Sequence, residues 1–381
     1  MDFNYVVVPA LIVLFAALVI WLAIRRIRSL SSKSCRKWRK IVERVVLASI
    51  GTVVAVIAIT AAFNAIALFV FRARNPPPGT TYLVNGHAMH INCSGTGSPT
   101  IVLEAGLGND DLIWGGVQPV LSRTTRVCSY DRAGFGWSDP LPPPRDADHI
   151  ADELHGLLSA AKIDGPIVLM GHSIAGIYMR DYVSRFPQGI VGLIYVDGST
   201  PLQNRWPAFQ AAQAHQPPVW AVMLLMRAAF SAGIPRPFGQ CSRTFPGFDA
   251  HAARLQAEDL CHAQIGAIAA EMDSVDRSGE ETVHTGPYGD LPILIFSHDP
   301  AKSLSAKNPP AQMVNMEAAW TQMQENLKQL SSRSRRIVAK GSSHYIQMDR
   351  PDLLEKEVPL FIAQIRGAAP PQSSYGTTVT E

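Results

Sequence analysis

Charge is scarce in this chain. Only 17% of its 381 residues are Asp, Glu, Lys or Arg, against roughly 25% in an ordinary soluble domain, while 47% are hydrophobic. That balance excludes a disordered chain. Acids are nearly missing from the first 74 positions, where eleven Lys/Arg meet only Asp2 and Glu43. The net charge of +3 therefore conceals a basic head and a mildly acidic body. A nucleic-acid-binding body would concentrate its positive charge, and this one does not. Cysteines number five, with no Cys-x-x-Cys pair, which removes the usual zinc frameworks. There is no internal repeat. The length exceeds what one core needs, and implies one large domain with additions or two domains.

What the head has instead is two long uncharged runs. Tyr5 to Ile24 carries no charge and, at ~1.5 Å per residue, is long enough to cross a ~30 Å hydrocarbon layer. Val45 to Phe71 is a second such run, with Asn64 its one strongly polar side chain. Between them, Arg25 to Arg44 holds Arg25, Arg26, Arg28, Lys33, Arg36, Lys37, Arg39, Lys40 and Arg44 against one acid. Short loops this basic stay in the cytoplasm. The pattern predicts a membrane hairpin over residues 1–75, a cytoplasmic loop over 25–44, and a body on the far side. A signal peptide would place its positive charge before the first run, where Asp2 stands. Cleavage after Ala65-Ile66-Ala67 is the other reading, but Leu68-Phe69-Val70-Phe71 continues the apolar run past it. Cys35 falls in the basic loop, and Cys93, Cys128, Cys241 and Cys261 in the body. Four cysteines in an oxidising compartment allow two bridges; four buried thiols are the alternative.

The body alternates strand and helix. Asn85-Gly86 between Thr81–Val84 and Met89–Cys93 is a hairpin signal. Short apolar runs follow at Thr100–Glu104, Arg126–Tyr130, Pro166–Met170, Val191–Val196, Pro292–Phe296 and Arg336–Ala339. Ile150, Leu154, Leu157, Leu158 and Ala161 form a helical stripe, and 351–366 reads as a closing helix despite Pro359. Continuous apolar strands separated by helices imply an α/β sheet covered on both faces. The expected body is a core of 76–200 and 290–367, interrupted at 201–289 by a strandless, Ala-, Met- and Trp-rich helical lid. Residues 368–381 read as a disordered polar tail.

The chemistry sits at strand ends. Pro166–Met170 runs into Gly171-His172-Ser173-Ile174-Ala175-Gly176 and then a helical stretch. A serine flanked by small residues between strand and helix is a nucleophile elbow, here with Ala175 at the fifth position of G-x-S-x-G. Its hydroxyl needs a base. His344, in Gly341-Ser342-Ser343-His344 after the last strand, is the expected base. The elbow implies the chain order Ser, acid, His. Asp299, after Pro292–Phe296, is the expected acid; Asp197, after Val191–Val196, also satisfies that order and is its rival. A developing oxyanion needs preset N–H donors, each worth roughly 10²–10³ in rate. Ile174 and Leu107, the latter in Glu104-Ala105-Gly106-Leu107-Gly108, are the expected pair.

Over roughly residues 80–367 the body resembles the α/β-hydrolase fold family, of the lidded serine-hydrolase kind. Tyr130-Asp131-Arg132-Ala133-Gly134-Phe135-Gly136-Trp137-Ser138 is similar to that family's YDRxGxGxS loop, whose role there is structural. Where the family has His-Gly at the oxyanion loop, this chain has Ala105-Gly106. The membrane hairpin and the lid lie outside the pattern. The resemblance implies a mostly parallel eight-stranded sheet with its second and fourth strands adjacent, hence a Cys93–Cys128 bridge, leaving Cys241–Cys261 to staple the lid. It implies an acyl-enzyme hydrolase without metal or cofactor, and the serine disfavours the aspartate-nucleophile chemistries of the fold. A hydrophobic carboxylic ester is the expected substrate, with Trp206, Trp220, Met223, Leu224, Leu225 and Met226 colouring the lid. An amidase or aminopeptidase is the alternative enzyme, and a catalytically idle, membrane-tethered binding module the alternative from another class.

Overall fold

A computed structural model describes residues 3–31, 36–214, 217–242, 248, 250–261, 264–368 and 375–381; Cys35 lies outside them. The chain divides into two units. The first comprises Met1–Pro76, Ala221–Arg243 and Ala257–Ile265; the second comprises Pro77–Trp220, Thr244–Gln256 and Gly266–Glu381.

In the first unit, helices α1 (Phe3–Ser29) and α2 (Lys37–Arg74) pack on each other. Both are long and apolar enough to cross a membrane, and most of their apolar side chains, among them Phe15, Val53 and Ile59, point outward. Much of the basic stretch between the runs is helical, its residues forming the end of α1 and the start of α2. There Arg26 pairs with Glu43 at 2.6 Å. Cys241 and Cys261 are bridged within this unit.

The second unit is built on one sheet. Its strands are β1 (Thr80–Val84), β2 (His87–Ser94), β3 (Thr100–Glu104), β4 (Val127–Tyr130), β5 (Ile167–His172), β6 (Ile190–Val196), β7 (Ile293–His298), β8 (Ser334–Ala339) and β9 (Thr378–Thr380). Their order is β1-β2-β4-β3-β5-β6-β7-β8-β9. β1 and β2 form an antiparallel hairpin, closed by Asn85 and Gly86 at φ +51° and +84°, both left-handed as a tight hairpin turn requires. β2 joins β4 antiparallel, and every later pairing is parallel. The Cys93–Cys128 bridge joins residues directly opposite each other in β2 and β4.

Alternate residues of each strand enter opposite cores, as a pleat dictates. Leu169, Leu193 and Ile295 pack with Leu154, Leu157 and Leu158 of α3 (Ala147–Ala160) and Tyr182 of α4 (Ala175–Arg185). Val168, Ile194 and Phe296 pack with Trp114 and with Leu353, Leu354, Val358 and Phe361 of the closing helix. β5 is buried at every position, so a period-2 polar pattern never had a face to occupy.

Between β6 and β7 the described residues contain no strand. The longer helices there are α5 (Val219–Ser231), α6 (Ala250–Leu260) and α7 (Gln264–Thr282), and the insertion is divided between the two units. After β7 come α8 (Ala311–Asn326) and the closing helix α9 (Pro351–Ile365).

The tail corrects the expectation. Thr378-Val379-Thr380 is not disordered but adds a ninth strand beside Arg336–Val338, so the sheet has nine strands and not eight. Two β-branched threonines flanking a valine suit a pleated edge. The free edge of β8 offers amides and carbonyls to pair. Lys356 holds the Glu381 side chain at 2.5 Å, and the Lys340 amide donates to the Glu381 carbonyl at 2.7 Å.

Candidate active site

β5 ends at His172, and Ser173 follows with φ +56°, a left-handed conformation that costs a non-glycine residue energy and is found where function demands it. The turn needs small neighbours. A Cβ on Gly171 would sit 2.8 Å from the Cβ of Ala175, and one on Gly176 would sit 2.6 Å from the Ser199 carbonyl oxygen. Ala175 is therefore tolerated because Gly171 opposite it has no side chain.

Ser173 Oγ lies 2.9 Å from His344 Nε2. His344 Nδ1 lies 2.6 Å from Asp197 Oδ2. These three residues, from the ends of β5, β8 and β6, form one hydrogen-bonded chain. Asp299, the expected acid, stands elsewhere. Its carboxylate caps the short helix Pro300–Ser303 by accepting from the Ala301 amide at 2.9 Å, and it accepts from the Gly341 amide at 2.8 Å. Both uses are with backbone, so Asp299 anchors the loop that carries His344 without touching the imidazole.

Asp197 is fully buried and has φ +49°, in the left-handed region. It accepts four hydrogen bonds. Oδ2 takes His344 Nδ1 and His298 Nδ1, the latter at 2.7 Å; Oδ1 takes the His298 amide at 3.1 Å and Trp320 Nε1 at 3.0 Å. Burial alone would raise its pKa, but the hydrogen bonds from His298 and His344 outweigh it and hold the carboxyl well below the usual range.

His298, Glu317 and Trp320 are the residues that sequence reasoning missed. His298 Nε2 lies 2.9 Å from Glu317 Oε1, so both ring nitrogens face carboxylates and both serve as donors, which requires the imidazolium. Burial works against that charge, but Asp197 and Glu317 together push the pKa up to about 10. The one available signal was position, since His298 sits beside Asp299 at the end of β7. Trp320 also meets the His344 ring edge-on at 5.5 Å.

His172 has the opposite character. Burial, and the facing His344, push its pKa down to about 3, so it is neutral. Its Nε2 bonds the His344 carbonyl at 3.0 Å, tethering the base's own backbone to the elbow.

The β3 loop lies against the elbow, for a Cβ on Gly106 would fall 2.6 Å from His172 Nδ1 and 3.3 Å from Ser173 Cβ. Arg132 is buried and binds Glu104 and Glu271, and it also donates to the carbonyls of Ala105 and Gly106 at 2.6 and 2.9 Å. In a trans peptide the C=O and N–H point oppositely, so fixing the Gly106 carbonyl toward Arg132 turns the Leu107 N–H away from it. Ile174 opens α4 directly after Ser173. Asp131 takes His90 Nδ1 and the amides of Asp111 and Trp137, a structural use.

Asp197, His298 and His344, and likewise His90, Asp111 and Asp131, bring potential ligand atoms within 4.8 Å of one another. In both clusters the carboxylate already accepts from a histidine. Ser173 and His344 open onto a cavity of about 560 Å³ lined also by Phe209, Met313, Met316 and Trp320, within the range of small-molecule sites.

The profile of the Alpha/beta hydrolase family matches residues 101–357. The chain belongs to this family. Among curated proteins it is similar to YqjL of Bacillus subtilis, 25% identical over 76% of this chain and 94% of that one. It also matches efuK of Hormonema carpetanum, 39% identical over 31% of this chain. The chain spans less than a fifth of the length of the first two curated relatives it matches, 18% and 16%. Of solved structures, the enol-lactonase of Burkholderia xenovorans LB400 superposes with a TM-score of 0.51 at 20% identity, covering 74% of this chain and all of that one. The α/β-hydrolase fold with a mostly parallel sheet is thus common to both.

The buried imidazolium predicts that this hydrolase loses stability in alkali. A histidine whose folded pKa rises from 6.5 to about 10 stabilises fully below pH 6.5, and that contribution is lost as pH climbs through about 10. Thermal melts of the wild type should fall between pH 7 and 10 more steeply than those of His298→Asn. Equal slopes would show that the ring is not charged.

Proposed function

We propose that this α/β hydrolase is a membrane-anchored serine hydrolase that cleaves hydrophobic carboxylic esters, with Ser173 as nucleophile, His344 as base and Asp197 as the acid. The observation that carries the reading is the chain from Ser173 Oγ through His344 to the buried Asp197, at 2.9 and 2.6 Å, opening onto an apolar-lined cavity.

Ser173 Oγ bonds to the ester carbonyl carbon as His344 Nε2 takes its proton, and the carbonyl electron pair moves onto oxygen. The amides of Ile174 and Leu107 receive that oxyanion. Its collapse breaks the C–O bond to the alcohol, which leaves with the proton from His344. Water then attacks the acyl-serine as His344 takes one of its protons, and collapse breaks the bond to Ser173 Oγ, which takes that proton back from His344 as the acid leaves. Asp197 fixes the tautomer that presents Nε2 as acceptor and stabilises the imidazolium formed in each half. The His298 imidazolium, held between Asp197 and Glu317, keeps Asp197 ionised in a buried place.

Phe209, Met313, Met316 and Trp320 in the cavity support an apolar acyl group. Matched p-nitrophenyl esters of graded acyl length and an anilide, assayed on the full chain in detergent, test this. Ester turnover far above anilide turnover is expected; anilide preference overturns the ester reading.

Two apolar helices with basic residues between them support anchorage by two spans, with the hydrolase unit outside the cytoplasm. A reporter fused after Glu381 should be active only if it works outside the cytoplasm; cytoplasmic activity reverses the topology.

A further inference from the structure

Helix α5 reads Val-Trp-Ala-Val-Met-Leu-Leu-Met-Arg-Ala-Ala-Phe-Ser and carries one ionisable group, Arg227. The last carbonyls of a helix have no partner within it and normally turn to water. Here the helix end is closed locally, the Gly233 amide donating to the Phe230 carbonyl at 2.9 Å and the Ile234 amide to the Ala229 carbonyl at 3.0 Å, and the same turn also meets α2. Thr60 Oγ1 donates to the Ala232 carbonyl at 2.8 Å, and Asn64 Nδ2 donates to the Phe230 carbonyl at 3.2 Å. A Cβ on Gly233 would lie 2.5 Å from the Thr60 carbonyl oxygen, so the chain there rests on the α2 backbone. Arg236 follows, its Nε on Asn64 Oδ1 at 2.7 Å and its guanidinium paired with Glu258 at 2.6 Å.

The depth of those contacts decides the matter. Asn64 and Thr60 lie inside the apolar run that ends at Phe71, roughly 10 and 16 Å from its end at 1.5 Å per residue. The run, at ~40 Å, exceeds a ~30 Å hydrocarbon layer, which leaves ~5 Å of slack at each end. Asn64 is still ~5 Å and Thr60 ~11 Å below the boundary. Leu224, Leu225, Ile234 and Phe238 meanwhile face outward, Leu225 with 71% and Phe238 with 76% of its surface exposed. A segment whose terminal carbonyls bond to protein and whose outer face is apolar suits a place in lipid.

We propose that α5 and the turn through Phe238 are seated among the acyl chains of the leaflet on the hydrolase side, as a third membrane-embedded element. The proposal rests on the reading of α2 as a span. Arg227 reaches the headgroups by its long stem, while Arg236 is admitted by its pairing with Glu258 and Asn64.

The test uses the full chain carrying Cys35→Ser, with one added cysteine labelled by an environment-sensitive fluorophore. The protein is placed in phosphatidylcholine nanodiscs with or without nitroxide-bearing acyl chains. Leu225→Cys and Phe238→Cys carry the test; Val53→Cys reports the α2 span and Asp164→Cys the solvated body. Labels at 225 and 238 should each lose at least half of the emission lost at 53, with none lost at 164. Quenching at 53 but not at 225 or 238 overturns the inference and leaves the anchor standing. No quenching at any of the three removes both. A label at 225 shielded from aqueous iodide yet unquenched by lipid also overturns it, and assigns the face to a second copy or another protein.

Discussion

Asp197→Asn should lower kcat by about 10⁴, the scale on which losing the orienting acid leaves the imidazole in the wrong tautomer. The asparagine amide would face His344 Nδ1 as a donor, so Nε2 would carry the proton and meet Ser173 with a hydrogen where a lone pair is needed. Asp299→Asn costs no more than about tenfold, because asparagine caps a helix nearly as well as aspartate and the carboxylate it replaces touches only the amides of Ala301 and Gly341. Steady-state kinetics on the two purified variants, with thermal melts to confirm folding, decide between them. A large loss in Asp299→Asn with near-normal Asp197→Asn would return the acid to the end of β7.

Ser173→Ala has the largest effect expected of any single change, about 10⁶ in kcat, with the residual rate above water coming from the oxyanion amides and binding. The more discriminating result is the double variant. If Ser173 and His344 act as one unit, Ser173→Ala combined with His344→Ala is no slower than Ser173→Ala alone. Multiplying losses would mean that the two side chains work separately.

The tight turn at Ser173 and the place of His344 were legible because their constraints are local. Gly171, Ala175 and Gly176 must be small for strand and helix to close around Ser173, and that requirement is written in adjacent positions. His344 stands in a short loop after the last apolar run. Which carboxylate meets His344 was not legible, since Asp197 and Asp299 both follow buried strands and both precede His344 in the chain. What separates them is which carboxylate the neighbours from β7 and α8 surround, and His298 and Trp320 reach Asp197 from 101 and 123 residues away. The sheet was readable from its apolar runs, apart from β9. A three-residue Thr-Val-Thr edge has no periodicity to detect, and it takes its shape from the open side of β8. Likewise, the apolar character of α5 was visible, but its attachment to Thr60 and Asn64 joins positions 172 and 166 residues apart.

In the proposed mechanism one hydroxyl, activated by His344, performs the chemistry. Incubating the full chain with a fluorophosphonate and mapping the adduct by peptide mass spectrometry tests it most directly. A single adduct on Ser173 is expected, abolished by Ser173→Ala and strongly slowed by Asp197→Asn. An adduct on another serine, or labelling that persists unchanged in Ser173→Ala, would contradict it.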